Sequence, residues 1–211
     1  MNEEMKKNCG ELIVLSGPSG VGKSTVISNL LRNRPDIYFS VSFTTRDPRE
    51  GEVDGVNYNF VSRDEFERMI GAGELLEYAQ YVNNYYGTSL KVIRDKLEQG
   101  VDVLLDIEVQ GAATVRQKCP DAVRIFILPP SLEELERRLR QRNTDSPEVI
   151  AQRLERAVEE CRQCVHYDYI VVNDNVESVS RELQTILLAA GCRIDKRIHL
   201  AEKICGPIER N

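Results

Sequence analysis

The stretch Gly17-Pro18-Ser19-Gly20-Val21-Gly22-Lys23-Ser24 lies between a short apolar run at residues 12–15 and a helix-like segment at residues 26–31. The predicted order is therefore strand, glycine-rich loop, helix. Glycines at 17, 20 and 22 allow backbone angles that are closed to other residues, so successive N–H groups can turn inward around a phosphate chain. The helix that follows adds the positive end of its dipole. We expect this loop to bind the phosphates of a nucleotide.

The same stretch fits the P-loop pattern G-x-x-x-x-G-K-[ST]. In that arrangement Lys23 reaches the β- and γ-phosphates, and the Ser24 hydroxyl binds Mg²⁺. A pattern of eight residues also occurs by chance, but the strand before it and the helix after it favour a nucleoside triphosphate site. The loop predicts an NTPase or a kinase, and the acceptor has to be sought elsewhere in the chain.

The remaining chain alternates predicted strands and helices, which is typical of a parallel α/β core. The predicted core strands are 101–106, 123–128 and 169–172, and the predicted core helices are 89–99, 112–118, 131–141, 148–165 and 176–189. Between residues 37 and 88, three short predicted strands (38–43, 57–61 and 75–82) and an amphipathic helix (63–72) lie too close together for βαβ spacing. We interpret this region as a small mixed lobe inserted into the parallel sheet.

The composition is that of one ordinary globular domain. The 211 residues are 41% hydrophobic and 29% charged, with apolar runs far shorter than a membrane span. The formal net charge of −6 provides no basic field for nucleic acid. The first ten residues are polar and lack the apolar segment of a secretory signal, so we expect a cytoplasmic protein without a membrane or nucleic-acid partner.

Six cysteines occur without the spacing of a disulfide framework. Cys161 and Cys164 form a C-x-x-C pair with His166 nearby, which raises the alternative of a zinc site. A structural zinc site needs four ligands, and no further pair has suitable spacing. Reduced thiols are the favoured interpretation.

Five segments together resemble the guanylate kinase family. They are GPSGVGKST (17–25), SFTTRDPREGEVDGVNYNFV (42–61), YYGT (85–88), LLDIEVQGA (104–112) and RLRQRNTDSPEVIAQRL (138–154). The resemblance covers about residues 11–188 and implies ATP-dependent phosphorylation of GMP, and also of dGMP. It implies one domain with a core (11–36, 89–141 and 154–190), a GMP-binding lobe (37–88) and a lid (142–153). Residues 191–211 form a tail without a counterpart.

The resemblance implies which residues hold the acceptor. Arg46 and Arg49 would clamp the GMP phosphate, because the planar guanidinium makes bidentate bonds that lysine cannot reproduce. Tyr58 and Tyr86 would hydrogen-bond the same phosphate. Guanine presents an N1–H and a 2-amino group on one edge, and a carboxylate offers two matching acceptors. The implied base-reading acid is Glu77, with Ser42 and Thr88 as further base or phosphate contacts. Glu108 is the implied second acid, on the guanine or ribose side.

The resemblance also implies a donor site for ATP. The nucleotide-binding residues would be Gly17, Ser19, Gly20, Gly22, Lys23, Ser24 and Thr25, with Asn173 on the adenine side. Asp106, at the end of an apolar strand, is placed like a Walker B acid and would hold Mg²⁺ together with Ser24. Lys23, Arg46 and the lid arginines Arg138, Arg142 and Arg153 would act in catalysis by stabilising charge on the transferring phosphoryl group. Arg140 and Arg156 are interpreted as solvated helix residues.

The sequence departs from the usual family pattern at two places. Glu108 stands where the family usually has Asp, and Asn83-Asn84 stands where Gly-Asn is usual.

Two other functions are alternatives to this interpretation. One is a guanylate-kinase-like interaction module without catalysis, but Lys23, Arg46 and Asp106 are retained. The other is a kinase for a different monophosphate, and Glu77 argues against adenine as its base. A homo-oligomer is a further expectation that the sequence does not decide.

Overall fold

The structure, a computed structural model, describes residues 9–81, 83–141 and 146–208. The strands are β1 (Leu12–Ser16), β2 (Tyr38–Phe39), β3 (Phe43–Thr44), β4 (Asn59–Phe60), β5 (Leu75–Tyr81), β6 (Asn84–Ser89), β7 (Val103–Asp106), β8 (Val123–Leu128) and β9 (Tyr169–Val172). The helices are α1 (Lys23–Asn33), α2 (Arg63–Gly71), α3 (Leu90–Glu98), α4 (Val109–Lys118), α5 (Leu132–Gln141), α6 (Pro147–Arg162), α7 (Val176–Ala190) and α8 (Ile194–Cys205). A 3-10 turn (Gln163–His166) follows α6.

The central sheet has the strand order β2-β7-β1-β8-β9, and every pair in it is parallel. All five residues of β1 are buried, as expected for a parallel strand that is covered on both faces. Successive side chains of β1 point to opposite faces of the sheet. Ile13 packs in a core with α1 and α7 on one face, and Val14 packs in a second core with α3 and α4 on the other. The predicted class, a parallel sheet flanked by helices, is confirmed.

A second sheet, with the order β4-β3-β6-β5, forms the inserted lobe. In this sheet β6 pairs antiparallel with both β3 and β5. Helix α2 covers the sheet with Phe66, which is fully buried and stacks on Tyr85 with ring centroids 5.2 Å apart. The lobe therefore has its own small core.

The single strand predicted at residues 38–43 is wrong, because the chain divides there between the two sheets. Tyr38–Phe39 pairs with β7 in the central sheet, and Phe43–Thr44 pairs with β4 and β6 in the lobe. Strand β6 was not predicted, and α4 begins three residues earlier than expected. The side chain of Ser131 caps the start of α5, since the backbone N–H of Glu134 donates to Ser131 Oγ over 3.1 Å.

The tail, in which no helix was predicted, contains the helix α8. An ion pair joins α8 to the domain, with Lys196 Nζ 3.3 Å from Glu11 Oε2, and within the tail Arg197 Nε donates to the carbonyl of Gly191 over 3.0 Å. In the described part of the chain, no helix combines the length and apolar character that a membrane crossing requires.

Candidate active site

The glycine-rich loop joins β1 to α1 at the carboxyl edge of the central sheet. Gly22 caps α1 with a φ of 97°, a left-handed angle that favours glycine. Lys23 is the first residue of the helix, and its Nζ donates to the carbonyl of Gly17 over 2.9 Å. The lysine therefore folds back over the loop, where it encloses the space in which phosphates would lie.

Asp106 ends β7 directly beside the loop. It lies opposite Leu15 in the parallel register, and its Oδ1 is 4.0 Å from Lys23 Nζ. Burial raises the pKa of the Asp106 carboxyl, and the charge of Lys23 opposes that rise. Ser24 lies in the first turn of α1 and is exposed. A carboxylate and a hydroxyl are hard oxygen ligands, so the donor set here fits a divalent cation such as Mg²⁺.

Two side chains from other parts of the chain bind the backbone of the glycine-rich loop at Val21. The carbonyl of Val21 accepts from Asn173 Nδ2 over 2.7 Å and from Arg138 Nη1 over 3.0 Å. Arg138 Nη2 also donates to the carbonyl of Asn173 over 2.9 Å. A Cβ at Gly22 would lie 2.6 Å from Asn173 Nδ2, so the loop and its support fit closely. Arg138 and Asn173 therefore contact the loop backbone in this structure.

One cavity of about 380 Å³ connects the loop to the lobe. Many of the predicted site residues line it. Those on the donor side are Gly17, Ser19, Lys23, Asp106 and Arg153, and those on the acceptor side are Ser42, Arg49, Tyr58, Glu77, Tyr86 and Glu108. Other predicted residues lie outside this wall, namely Gly20, Gly22, Ser24, Thr25, Arg46, Thr88, Arg138 and Asn173. Arg142 falls outside the described residues.

Glu77 is the least exposed of the acids that line the cavity, with 5% of its surface exposed. Its Oε1 accepts a hydrogen bond from Thr88 Oγ1 on the neighbouring strand, so Thr88 contacts the acid instead of the cavity wall. Burial raises the pKa of the Glu77 carboxyl, whereas Thr88 and the charge of Lys118 lower it. The carboxylate is thus oriented by one neighbour and kept from bulk water, as a selective hydrogen-bonding site requires.

The loop that contains Arg46 and Arg49, here called the arginine-rich loop, places one arginine on the cavity wall and one beside it. Arg49 lines the cavity. Arg46 Nη2 lies 2.9 Å from Glu52 Oε1, and its guanidinium lies over the Tyr58 ring at 5.4 Å from the centroid. The Tyr58 and Tyr86 rings meet edge to face with centroids 5.9 Å apart. Glu52 therefore orients Arg46 next to the two phenols.

Sequence reasoning assigned no role to several residues of the cavity wall, among them Gly111, Arg156 and Glu160. Gly111 on α4 lies against Glu77, and it was contained in a quoted motif without being given a role. Arg156 and Glu160 on α6 also line the cavity. Their spacing from Arg153 was the available signal, since residues three or four apart share a helix face. Arg156 makes the i,i+4 pair expected of a solvated helix face, with Glu160, and its side chain is 39% exposed, but it also pairs with Glu108 and lines the cavity.

Cys161 and Cys164 carry free thiols. Burial raises the pKa of the Cys161 thiol, so the reactive thiolate is disfavoured there. The described residues contain no group of three or more His, Cys, Asp or Glu side chains arranged to hold a metal ion.

Comparison with known proteins places these features in context. A family model described as guanylate kinase matches residues 9–190. A guanylate kinase from Synechococcus sp. (strain JA-3-3Ab) is 56% identical over 178 residues, which cover 84% of this chain and 82% of that protein. One from Latilactobacillus sakei subsp. sakei (strain 23K) is 50% identical over 94% of this chain and 98% of the relative. The crystal structure of guanylate kinase from Anaplasma phagocytophilum superposes with a TM-score of 0.78 at 37% identity, covering 97% of this chain and 99% of that one.

Proposed function

The chain belongs to the guanylate kinase family, and from that premise we propose how its residues transfer a phosphoryl group from ATP to GMP. The family expected from the sequence motifs is confirmed, and the protein is a guanylate kinase. ATP is the phosphoryl donor, and the family implies a metal ion. One observation carries the residue assignment: a single cavity is lined by Lys23 and Asp106 at one end and by the buried acid Glu77 at the other.

The transfer needs little covalent chemistry from the protein. A phosphate oxygen of GMP is already anionic and can attack the γ-phosphorus of ATP without a general base. The bond from that phosphorus to the β,γ-bridging oxygen breaks, and ADP leaves. Lys23 stabilises the charge of the transferring group, and Arg153 faces the same cavity. The residues therefore act by positioning two anions and neutralising their repulsion.

Ser24 and Asp106 would hold the metal ion, which we propose to be Mg²⁺. Both offer oxygen ligands, and Mg²⁺ typically takes one or two protein ligands in addition to phosphates. When bound, the cation neutralises charge on the β- and γ-phosphates. The Lys23 ammonium donates to the carbonyl of Gly17 and lies 4.0 Å from Asp106 Oδ1, so it would add positive charge beside these ligands.

The acceptor end supplies the preference for guanine. Glu77 presents a carboxylate with two acceptor atoms, which match the N1–H and 2-amino donors of guanine. Adenine has a lone pair at N1 and lacks the 2-amino group, so AMP would leave a buried acid unpaired. Such mismatches typically reduce efficiency by about 10⁴-fold or more. The phosphate of GMP would bind to Arg49, Tyr58 and Tyr86 on the cavity wall. Arg46, beside the wall, would bind the same phosphate.

A coupled assay with ATP tests the assignment. GMP, dGMP, AMP and UMP are each supplied as acceptor, and GMP is expected to give the highest kcat/KM, with dGMP also accepted. Mg²⁺ is removed with a chelator and restored alone or replaced by Ca²⁺, and only Mg²⁺ is expected to restore full turnover. Equal turnover of AMP and GMP would refute the role of Glu77 as the selective acid.

Three expectations from the sequence remain predictions: a cytoplasmic location, a homo-oligomer and the lack of a nucleic-acid partner. The boundaries of the GMP-binding lobe (37–88) and the lid (142–153) are proposals as well. The position of β2 in the central sheet supports a lobe that begins after Phe39.

A further inference from the structure

Helix α6 presents three charged side chains to the cavity. Arg153, Arg156 and Glu160 are three and four residues apart, which places them on one face of the helix, and all three line the cavity wall. Arg153 has an expected role at the phosphates. The reaction described above assigns no role to Arg156 or Glu160.

Arg156 joins two carboxylates on different helices. Its Nε donates to Glu160 Oε1 over 2.8 Å, and its Nη2 donates to Glu108 Oε2 over 2.9 Å. The Glu160 side chain is 11% exposed and that of Glu108 is 52% exposed. A well-buried acid therefore anchors the guanidinium, and the guanidinium holds a more exposed acid. The planar fork of arginine suits this bridge, whereas the single charged atom of lysine does not.

The Glu108 carboxylate needs a partner to fix its conformation. It is the N-cap residue of α4, yet its side chain makes no capping hydrogen bond. The extra rotatable bond relative to aspartate raises the conformational entropy that is lost when the carboxylate is ordered. A partner that orders this carboxylate before the substrate arrives lowers the cost of binding.

We propose that Arg156 is a positioning residue of the acceptor site, which orders Glu108 at the base-binding end of the cavity before GMP enters. The inference rests on the proposed function, because it takes Glu108 as a group that contacts GMP. Arg156 links α6, the helix that carries Arg153, to the N-terminus of α4 beside Glu77. The surface pair of Arg140 with Glu136, at 2.6 Å within α5, offers a matched comparison away from the cavity.

Steady-state kinetics of Arg156→Met test the proposal, with Arg140→Met as the control. Methionine keeps the apolar stem and removes the guanidinium. The KM for GMP is expected to rise about five- to tenfold, the effect of losing a hydrogen bond that orders a charged group. The KM for ATP and the kcat at saturating GMP should stay near wild type, as should every value for Arg140→Met. The Tm of Arg156→Met is expected to fall, because the buried Glu160 loses this partner, so the test lies in the KM for GMP compared with the KM for ATP. An unchanged KM for GMP would overturn the proposal, as would equal losses for both substrates.

A double-mutant cycle separates positioning from direct contact. Glu108→Ala is measured alone and together with Arg156→Met. Because Arg156 acts through Glu108, the double variant should be about as impaired as Glu108→Ala alone. Additive losses would overturn the proposal, since Arg156 would then act independently of Glu108. A wild-type protein that fails to phosphorylate GMP would refute the proposed function, whereas an active wild type with an unaffected Arg156→Met would refute only this inference.

Discussion

The carboxylate of Glu77 lies against the backbone of Gly111, so closely that an added Cβ would clash with Oε2 and lie 3.1 Å from Cδ. Gly111 is in the first turn of α4, and glycine in a helix is less favourable than alanine by about 1 kcal/mol. The glycine therefore provides space that the buried acid occupies. Helix α4 and strand β5 meet at this point, and the base-reading group depends on both.

Gly111→Ala tests this contact. The methyl group is expected to displace Glu77, and GMP kcat/KM should fall about 10- to 100-fold, as for loss of a hydrogen bond to a charged group. The control is Gly71→Ala at the end of α2, where an added Cβ meets nothing within 4 Å. That variant should match wild type in kinetics. Wild-type GMP efficiency in Gly111→Ala would show that the acid tolerates a shift.

Glu77→Gln exchanges one acceptor for a donor at the same volume. We expect GMP kcat/KM to fall sharply, by about 1–3 kcal/mol for an unpaired buried polar group, and discrimination against AMP to narrow. The Tm should not fall, because the fold disfavours the charged form of this buried acid. Competition kinetics with GMP and AMP measure the effect. Unchanged efficiency with unchanged rejection of AMP would remove Glu77 from the base site.

The pH dependence of GMP use follows from the raised pKa of Glu77. Only the ionised carboxylate accepts from both guanine donors, so kcat/KM is lost as pH falls through that pKa. Because the pKa is raised, the loss should begin above the pH at which an ordinary glutamate, with a pKa of about 4.3, titrates. The GMP phosphate, with a second pKa of about 6, titrates equally with every variant. The ratio of the wild-type kcat/KM to that of Glu77→Gln should therefore decrease as the pH is lowered. A ratio that does not change with pH would contradict the role of Glu77 as the acid that binds guanine.

Arg46→Lys replaces a fork with a point charge. The arginine is held by Glu52 beside the Tyr58 ring, and a lysine cannot keep that geometry while meeting a phosphate in bidentate fashion. The KM for GMP is expected to rise about tenfold or more, with little change in the KM for ATP. The control is Arg68→Lys, in the same lobe, whose partners are the exposed side chains of Glu65 on α2 and Glu74 before β5. Equal losses for both substrates would make Arg46 structural.

Truncation after Gly191 removes α8. The helix contacts no residue of the cavity wall through its described ion pair and hydrogen bonds, so kcat and both KM values should be unchanged. The Lys196 pair with Glu11 is lost, and the pKa of Glu11 is already raised by burial. We expect a Tm lower by about 2–4 °C, corresponding to about 1 kcal/mol for a domain of this size. A folded but inactive truncation would assign the tail a role in the reaction.

The sequence by itself determined the features that depend on neighbours along the chain. The loop at residues 17–24 was identifiable because its glycines, lysine and flanking apolar segments act locally, and the alternation of strands and helices predicted the parallel sheet. The arginine-rich loop and Glu77 were identified from motifs that resemble a family. These features needed no knowledge of which distant segments meet.

Only the tertiary structure decided the features that depend on contacts between distant segments. The division of residues 38–44 between two sheets depends on β7, more than sixty residues later, since a short strand takes the sheet that offers it a partner. The space at Gly111 matters because the Glu77 carboxylate occupies it. The role proposed for Arg156 depends on its hydrogen bond to Glu108. Helix α8 was not predicted, and its ion pair with the domain, between Lys196 and Glu11, joins residues from opposite ends of the chain. Burial, which sets the pKa of Glu77, likewise arises from residues far apart in the chain.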